Sequence, residues 1–167
     1  MIKELSLRRR APDLASEKDI AEFESKVGIP IPATLKEFCL RWNGGFPAEE
    51  HQFYFVPETF VEFFNEYGAQ GQGIFVDELL GLTKEFPQCS LLKEFNDLKN
   101  VSAIGLIPIS LDLYGNSAVV RVDAPEGQVF YRDHELWEAP ERPYLIPIAS
   151  NLESFYNRLT DEPYFDS

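Results

Sequence analysis

The stretch that decides the fold is Leu106-Ile107-Pro108-Ile109-Ser110-Leu111-Asp112-Leu113-Tyr114-Gly115-Asn116-Ser117-Ala118-Val119-Val120-Arg121-Val122-Asp123-Ala124-Pro125-Glu126-Gly127-Gln128-Val129-Phe130-Tyr131-Arg132. Three short apolar or alternating runs, Leu106 to Ser110, Ser117 to Asp123 and Gln128 to Arg132, are divided by Tyr114-Gly115-Asn116 and Ala124-Pro125-Glu126-Gly127. Both dividers are hairpin signals, so the stretch predicts an antiparallel meander. Tyr144 to Ile148 adds a further strand, and Ser150 as N-cap with Leu152, Phe155, Tyr156 and Leu159 predicts a closing helix.

Upstream of the meander the periodicity changes. Ser16 and Asp19 precede Ile20, Phe23 and Val27, the pattern of a capped amphipathic helix that stops at Gly28. Ile29-Pro30-Ile31-Pro32 cannot stay helical. Leu35, Phe38, Cys39 and Trp42 then follow helical spacing, ended by Asn43-Gly44-Gly45. Gln52 to Val56 reads as a strand, and Pro57 with Phe60, Phe63, Phe64 and Tyr67 as a short helix. Ile74 to Leu82 reads as one strand bent at Gly81, and Leu91, Leu92, Phe95 and Leu98 as another helix. Helices at the ends with strands between them predict an α+β fold, a central antiparallel sheet with flanking helices.

At 167 residues, without an internal repeat or a dividing linker, the chain is expected to be a single domain over residues 15–160. Residues 1–14, with Lys3 and Arg8 to Arg10, read as an N-terminal arm, and residues 161–167 as an acidic tail. The composition, 44% hydrophobic and 26% charged, is that of a globular protein. With 15 Lys+Arg against 28 Asp+Glu, the formal charge of −13 makes a nucleic-acid backbone a poor partner and a basic protein a favoured one. Nothing in the chain reads as a signal peptide or a membrane span, which predicts a cytoplasmic protein.

The chemistry-bearing residues are few. Cys39 and Cys89 are too isolated for a disulfide framework or a paired-cysteine metal site and read as buried thiols. His51, beside Glu49 and Glu50, reads as a surface loop. His134 lies within Asp133-His134-Glu135, where neighbouring strand residues face opposite ways, so the triplet reads as a solvated turn at a strand end. Asp112-Leu113-Tyr114-Gly115-Asn116 lacks the alternating oxygen ligands and distal Glu of a calcium loop. The glycines at 68, 71 and 73 do not form a phosphate-binding fingerprint. No catalytic residue, metal or cofactor is expected.

Read together, several pieces resemble the SUKH superfamily, which includes a fungal cell-wall synthesis regulator and many bacterial toxin-immunity proteins. They are Ile20 to Glu24, Gly28, Pro32, Leu35, Phe38 and Trp42-Asn43-Gly44-Gly45, followed by Leu106 to Ile109, Asp112, Gly115-Asn116, Gly127 to Val129, Asp133 to Glu135, Ile148-Ala149 and the Ser150 to Leu159 helix. The segment from Phe46 to Asn100 departs from the pattern apart from a loose match at Asp77 to Leu82. The resemblance implies the same α+β architecture and a non-enzymatic role. In the bacterial branch that role is binding and neutralising a toxin domain, often a nuclease.

On that reading an acidic face steers a basic partner and aromatic anchors dock it. The expected partner-binding acids are Glu49, Glu50, Glu66, Asp77, Glu78, Asp112 and Asp133. Trp42, Asn43, Gly44, Gly45, Gly115 and Asn116 are expected to be structural: the Trp fills the core, and the glycines permit turns that a Cβ would strain. The alternatives are an interaction module with a non-toxin partner, a small-ligand binder using the aromatics between Phe46 and Tyr67, and last a metal-assisted enzyme. The sequence leaves the oligomeric state open.

Overall fold

Ser16 opens the first helix by a reciprocal cap, as its sequence requires. Its hydroxyl oxygen accepts the Asp19 N–H at 3.2 Å, and the Asp19 carboxylate accepts the Ser16 N–H at 2.9 Å. Helix α1 (Glu17–Val27) buries Ile20 and Phe23 and ends at Gly28, whose φ of 71° is the left-handed capping conformation. Helix α2 (Ala33–Arg41) starts behind Pro32 and buries Leu35, Phe38 and Cys39. A computed structural model describes residues 1–57, 60, 73–99, 105–121, 127–139 and 142–160, with backbone only at 55, 99, 135–139 and 142–144.

The described strands are β1 (Leu7–Arg10), β2 (Gly45–Pro47), β3 (Phe53–Phe55), β4 (Gly73–Phe75), β5 (Glu78–Leu79), β6 (Leu106–Leu111), β7 (Ser117–Arg121), β8 (Val129–Ala139), β9 (Arg142–Ala149) and β10 (Leu159–Thr160). Helix α3 (Leu91–Lys99) precedes β6, and α4 (Leu152–Asn157) follows β9. Seven strands form one sheet in the order β1-β2-β5-β6-β7-β8-β9, and three form a second in the order β10-β3-β4. Every ladder in both sheets is antiparallel. This is the expected α+β architecture, with its central antiparallel sheet.

Period-two alternation divides the meander between two apolar layers. Ile107, Val120 and Val129 face the main core, which gathers residues from Ile2 to Leu159 around Phe38, Trp42, Phe155 and Tyr156. Val119 and Phe130 alternate to the other side and pack with Leu98 of α3 and Leu106. Phe38 stacks on Trp42 at 5.9 Å and on Tyr156 at 4.9 Å, joining α2 to α4. The two sheets are joined where the Tyr54 hydroxyl donates to the Ile148 carbonyl at 2.6 Å.

Four expectations need correction. Residues 1–14 are packed into the body: Ile2, Leu5 and Ala11 are buried, and β1 forms the edge of the large sheet. The three arginines are exposed on β1, where Arg8 lies over the Phe46 ring at 5.3 Å and Arg9 over the Phe86 ring at 4.6 Å. The run Ile74 to Leu82 is shared between the two sheets, for the Val76 N–H donates to Gln52 and the Asp77 N–H to Leu111. Asp133-His134-Glu135 lies inside β8, which continues to Ala139 because β9 pairs along it. The last helix is capped by Asn151, whose side chain accepts the Ser154 N–H at 2.8 Å, one residue after the expected Ser150. Beyond Phe60, the expected helix to Tyr67 lies outside the described residues, as does the tail 161–167.

Candidate functional site

Antiparallel register brings together acids that are far apart in sequence. The Asp77 N–H donates to the Leu111 carbonyl at 2.9 Å, and Glu78 stands opposite Leu111, so Asp77 and Glu78 lie beside Asp112. Ser117 stands opposite Arg132, which places Asn116 and Asp133 one step further out at the same end of the sheet. Four of the expected partner-binding acids, Asp77, Glu78, Asp112 and Asp133, therefore share one end of the large sheet.

Their proximity is felt electrostatically. Burial pushes the Glu78 carboxyl above its ordinary range, and the charges of Asp77 and Glu94 push it further, with Lys93 opposing. The Tyr131 hydroxyl is raised by burial and then by Asp112 and Asp133. Arg8 answers part of the charge, with a guanidinium nitrogen 3.0 Å from Asp77. Glu94, on α3, belongs to this field although no feature of the sequence singled it out. Only its place in the fold sets it near Glu78.

The β6–β7 turn is closed by its own side chains. Asp112 Oδ1 accepts the Tyr114 N–H at 2.8 Å and the Asn116 N–H at 2.9 Å, while Oδ2 accepts the Asn116 side-chain amide at 2.8 Å. Gly115 takes a φ of 89°, which suits a residue without Cβ. Asn116 Oδ1 in turn accepts the His134 N–H at 3.1 Å and lies 3.0 Å from its ring Nδ1, tying the turn to β8. The geometry calls on Asp112 and Asn116 for turn structure as well as charge.

Glu49 and Glu50 stand exposed on the 3-10 turn Glu49–His51, which leads from β2 into β3. His51 is occupied there, its Nδ1 accepting the Ser6 N–H at 2.9 Å. Glu66 lies outside the described residues. Trp42 is buried beneath the Arg41 guanidinium, which lies 4.0 Å from its ring centroid. Asn43, Gly44 and Gly45 form a run of positive φ (54°, 94° and 146°) threaded between β1 and the Leu79–Gly81 backbone.

Of the aromatics between Phe46 and Tyr67, Tyr54 is buried and Phe46 packs edge-on to Phe86 at 5.4 Å, whereas Phe63, Phe64 and Tyr67 lie outside the described residues. Cys39 and Cys89 are free, buried thiols, both pushed up to about 12, chiefly by burial. A groove of about 320 Å³, not marked by any sequence motif, opens between α1 and α3 over Phe23, Leu82 and Leu92. Two of its rim lysines are engaged, Lys84 with Asp19 and Lys93 with Glu94 and Asp97. Among the described residues no group of three or more His, Cys, Asp or Glu is arranged to hold a metal ion, and no helix is long and apolar enough to cross a membrane.

An antiparallel sheet flanked by helices, with an acidic end built on a closed hairpin, defines an α+β domain. The chain belongs to the SMI1 / KNR4 family (SUKH-1), whose pattern matches residues 14–158. It is also similar to the SPbeta prophage-derived uncharacterized protein YokK of Bacillus subtilis (strain 168). The two are 24% identical over 158 residues, which cover 92% of this chain and 79% of that protein.

Proposed function

We propose that this chain is an immunity-type protein-binding domain that acts in the cytoplasm and neutralises a basic toxin domain, a nuclease in the first instance, by covering its active site. The observation that carries the reading is the collection of Asp77, Glu78, Asp112 and Asp133 at one end of the sheet in a chain of net charge −13. Family membership supports a protein partner, since this family is generally non-catalytic. A relative of prophage origin accords with a gene carried for competition between bacteria.

An acidic face meeting a basic one raises the rate of encounter and selects against acidic competitors. Occlusion of the active site is then enough; no bond in the partner need be broken. The test is to immobilise the protein, load source-cell extract at low salt and elute with rising salt. A stoichiometric basic partner whose nuclease activity falls on adding this protein is the expected result. A stoichiometric partner without toxic activity moves the reading to a regulatory interaction module, and a partner held independently of salt removes the steering step.

A further inference from the structure

Leu113 and Tyr114 stand 66% and 76% exposed at the tip of the β6–β7 hairpin. The other exposed large apolar residues among those described, Met1 and Leu14, occur singly. Folding does not account for the pair. Side chains in water contribute no burial, and the turn is already closed by Asp112 through two backbone N–H groups and the Asn116 amide. Their setting is acidic: Asp112 precedes them, Asp133 is one step beyond the Ser117–Arg132 pair, and Asp77 and Glu78 flank the end of β6.

We infer that Leu113 and Tyr114 are the apolar anchor with which this chain enters a pocket on a basic protein, the surrounding acids meeting that pocket's cationic rim. The inference rests on the protein-binding reading above and assigns it a surface. Tyrosine is enriched among residues that dominate binding energy, and an anchor carried on a closed turn loses little conformational freedom on docking. A second copy of this chain is a poor occupant, because face-to-face contact would oppose Asp77, Glu78, Asp112 and Asp133 to their own counterparts. The division of labour follows: the acids set the rate of association, and the anchor sets the rate of release.

The test places p-benzoylphenylalanine, a photo-crosslinking residue, at position 114 of the full-length protein. Comparison proteins carry it at Lys18 on α1 and at Glu153 on α4. Each is irradiated in source-cell extract at low salt. The expected result is one basic protein crosslinked from position 114 and not from 18 or 153. Leu113→Ser with Tyr114→Ser should then weaken that complex at least tenfold through faster release, with the thermal midpoint and the salt dependence of association unchanged. A partner crosslinked only from 18 or 153 overturns the surface while leaving the protein-binding reading in place, and no product from any position overturns both. A crosslinked second copy, an acidic partner, or undiminished binding by the Leu113→Ser/Tyr114→Ser protein also overturns the inference.

Discussion

Asn43 and Leu82 are joined inside the protein: Asn43 Oδ1 accepts the Leu82 N–H at 2.7 Å, and the Asn43 amide donates to the Asp13 carbonyl at 3.0 Å. One fully buried side chain thus holds the entry to α1 and the segment after β5 against the end of α2. Asn43→Ala removes both bonds, leaves the Leu82 N–H without its acceptor, and leaves at a φ of 54° a residue that tolerates the left-handed region less well than Asn. The expected loss is about 2–4 kcal/mol of unfolding free energy, read from urea denaturation. Asn43→Gly loses the same bonds but relieves the backbone, so it should fall short of that loss by roughly 1 kcal/mol.

Glycines 81 and 28 separate close approach from conformational freedom. A Cβ on Gly81 would lie 2.2 Å from the Asn43 carbonyl carbon, whereas one on Gly28 would meet nothing within 4 Å. Gly81→Ala must therefore move two packed backbones apart, and it should cost more than about 3 kcal/mol or prevent folding. Gly28→Ala, which only strains the α1 cap, should cost about 1 kcal/mol. Thermal midpoints of the two variants decide whether the crossing of Gly81 beneath Asn43 is as tight as the geometry requires.

Much of this architecture was legible in the sequence, and the misses share a cause. Ser16, Asp19 and Gly28 mark α1 because caps are local chemistry, and Tyr114-Gly115-Asn116 marks the β6–β7 turn for the same reason. Residues 1–14 read as an arm because Lys3 and Arg8 to Arg10 dominate its pattern, and nothing local reveals that Ile2 and Leu5 are buried or that Leu7–Arg10 pairs with β2. Ile74 to Leu82 looked like one strand because its apolar run is continuous; only the partners Gln52 and Leu111 assign its halves to different sheets. The acidic end was half legible. Each acid could be named, but their meeting depends on the β5–β6 and β7–β8 registers.

Glu78 and Asp13 should give opposite pH signatures. Burial, then the charges of Asp77 and Glu94, raise the native Glu78 carboxyl above its ordinary 4.5, so the folded state holds that proton more tightly than the unfolded chain. Stability from this group is present in acid and is lost as pH rises through the ordinary value toward the raised one. Glu78→Gln should therefore unfold at higher urea than the parent at pH 7, with the gain disappearing below about pH 4.5.

At Asp13 burial acts upward, but the Thr83 hydroxyl, the Lys84 N–H and the Lys84 charge together hold the carboxyl below its ordinary 3.8. Its contribution is present above that value and is lost as pH falls through the depressed one. Asp13→Asn should be less stable than the parent at pH 7, and the deficit should shrink toward pH 3. Urea midpoints measured from pH 3 to pH 8 check both slopes, and parallel curves for either variant would refute its assignment.

Asp112 has two separable roles, as a charge at the acidic end and as the acceptor that closes the hairpin. Asp112→Ala abolishes both: the Tyr114 and Asn116 N–H groups lose their acceptor, amide exchange at those two positions should quicken, and unfolding free energy should fall by roughly 1 kcal/mol. Asp112→Asn keeps a carbonyl oxygen able to accept both backbone N–H groups, gives up the bond from the Asn116 side-chain amide, and carries no charge. Its exchange at Tyr114 and Asn116 should stay slow, while association with a basic partner becomes slower and less salt-dependent. The anchor predicts a further contrast: Asp112→Ala leaves Leu113 and Tyr114 on an open turn, so ordering must occur on docking and release quickens, whereas Asp112→Asn leaves release unchanged. Equal release rates for the two variants would separate the closed turn from binding and reduce Asp112 to its charge.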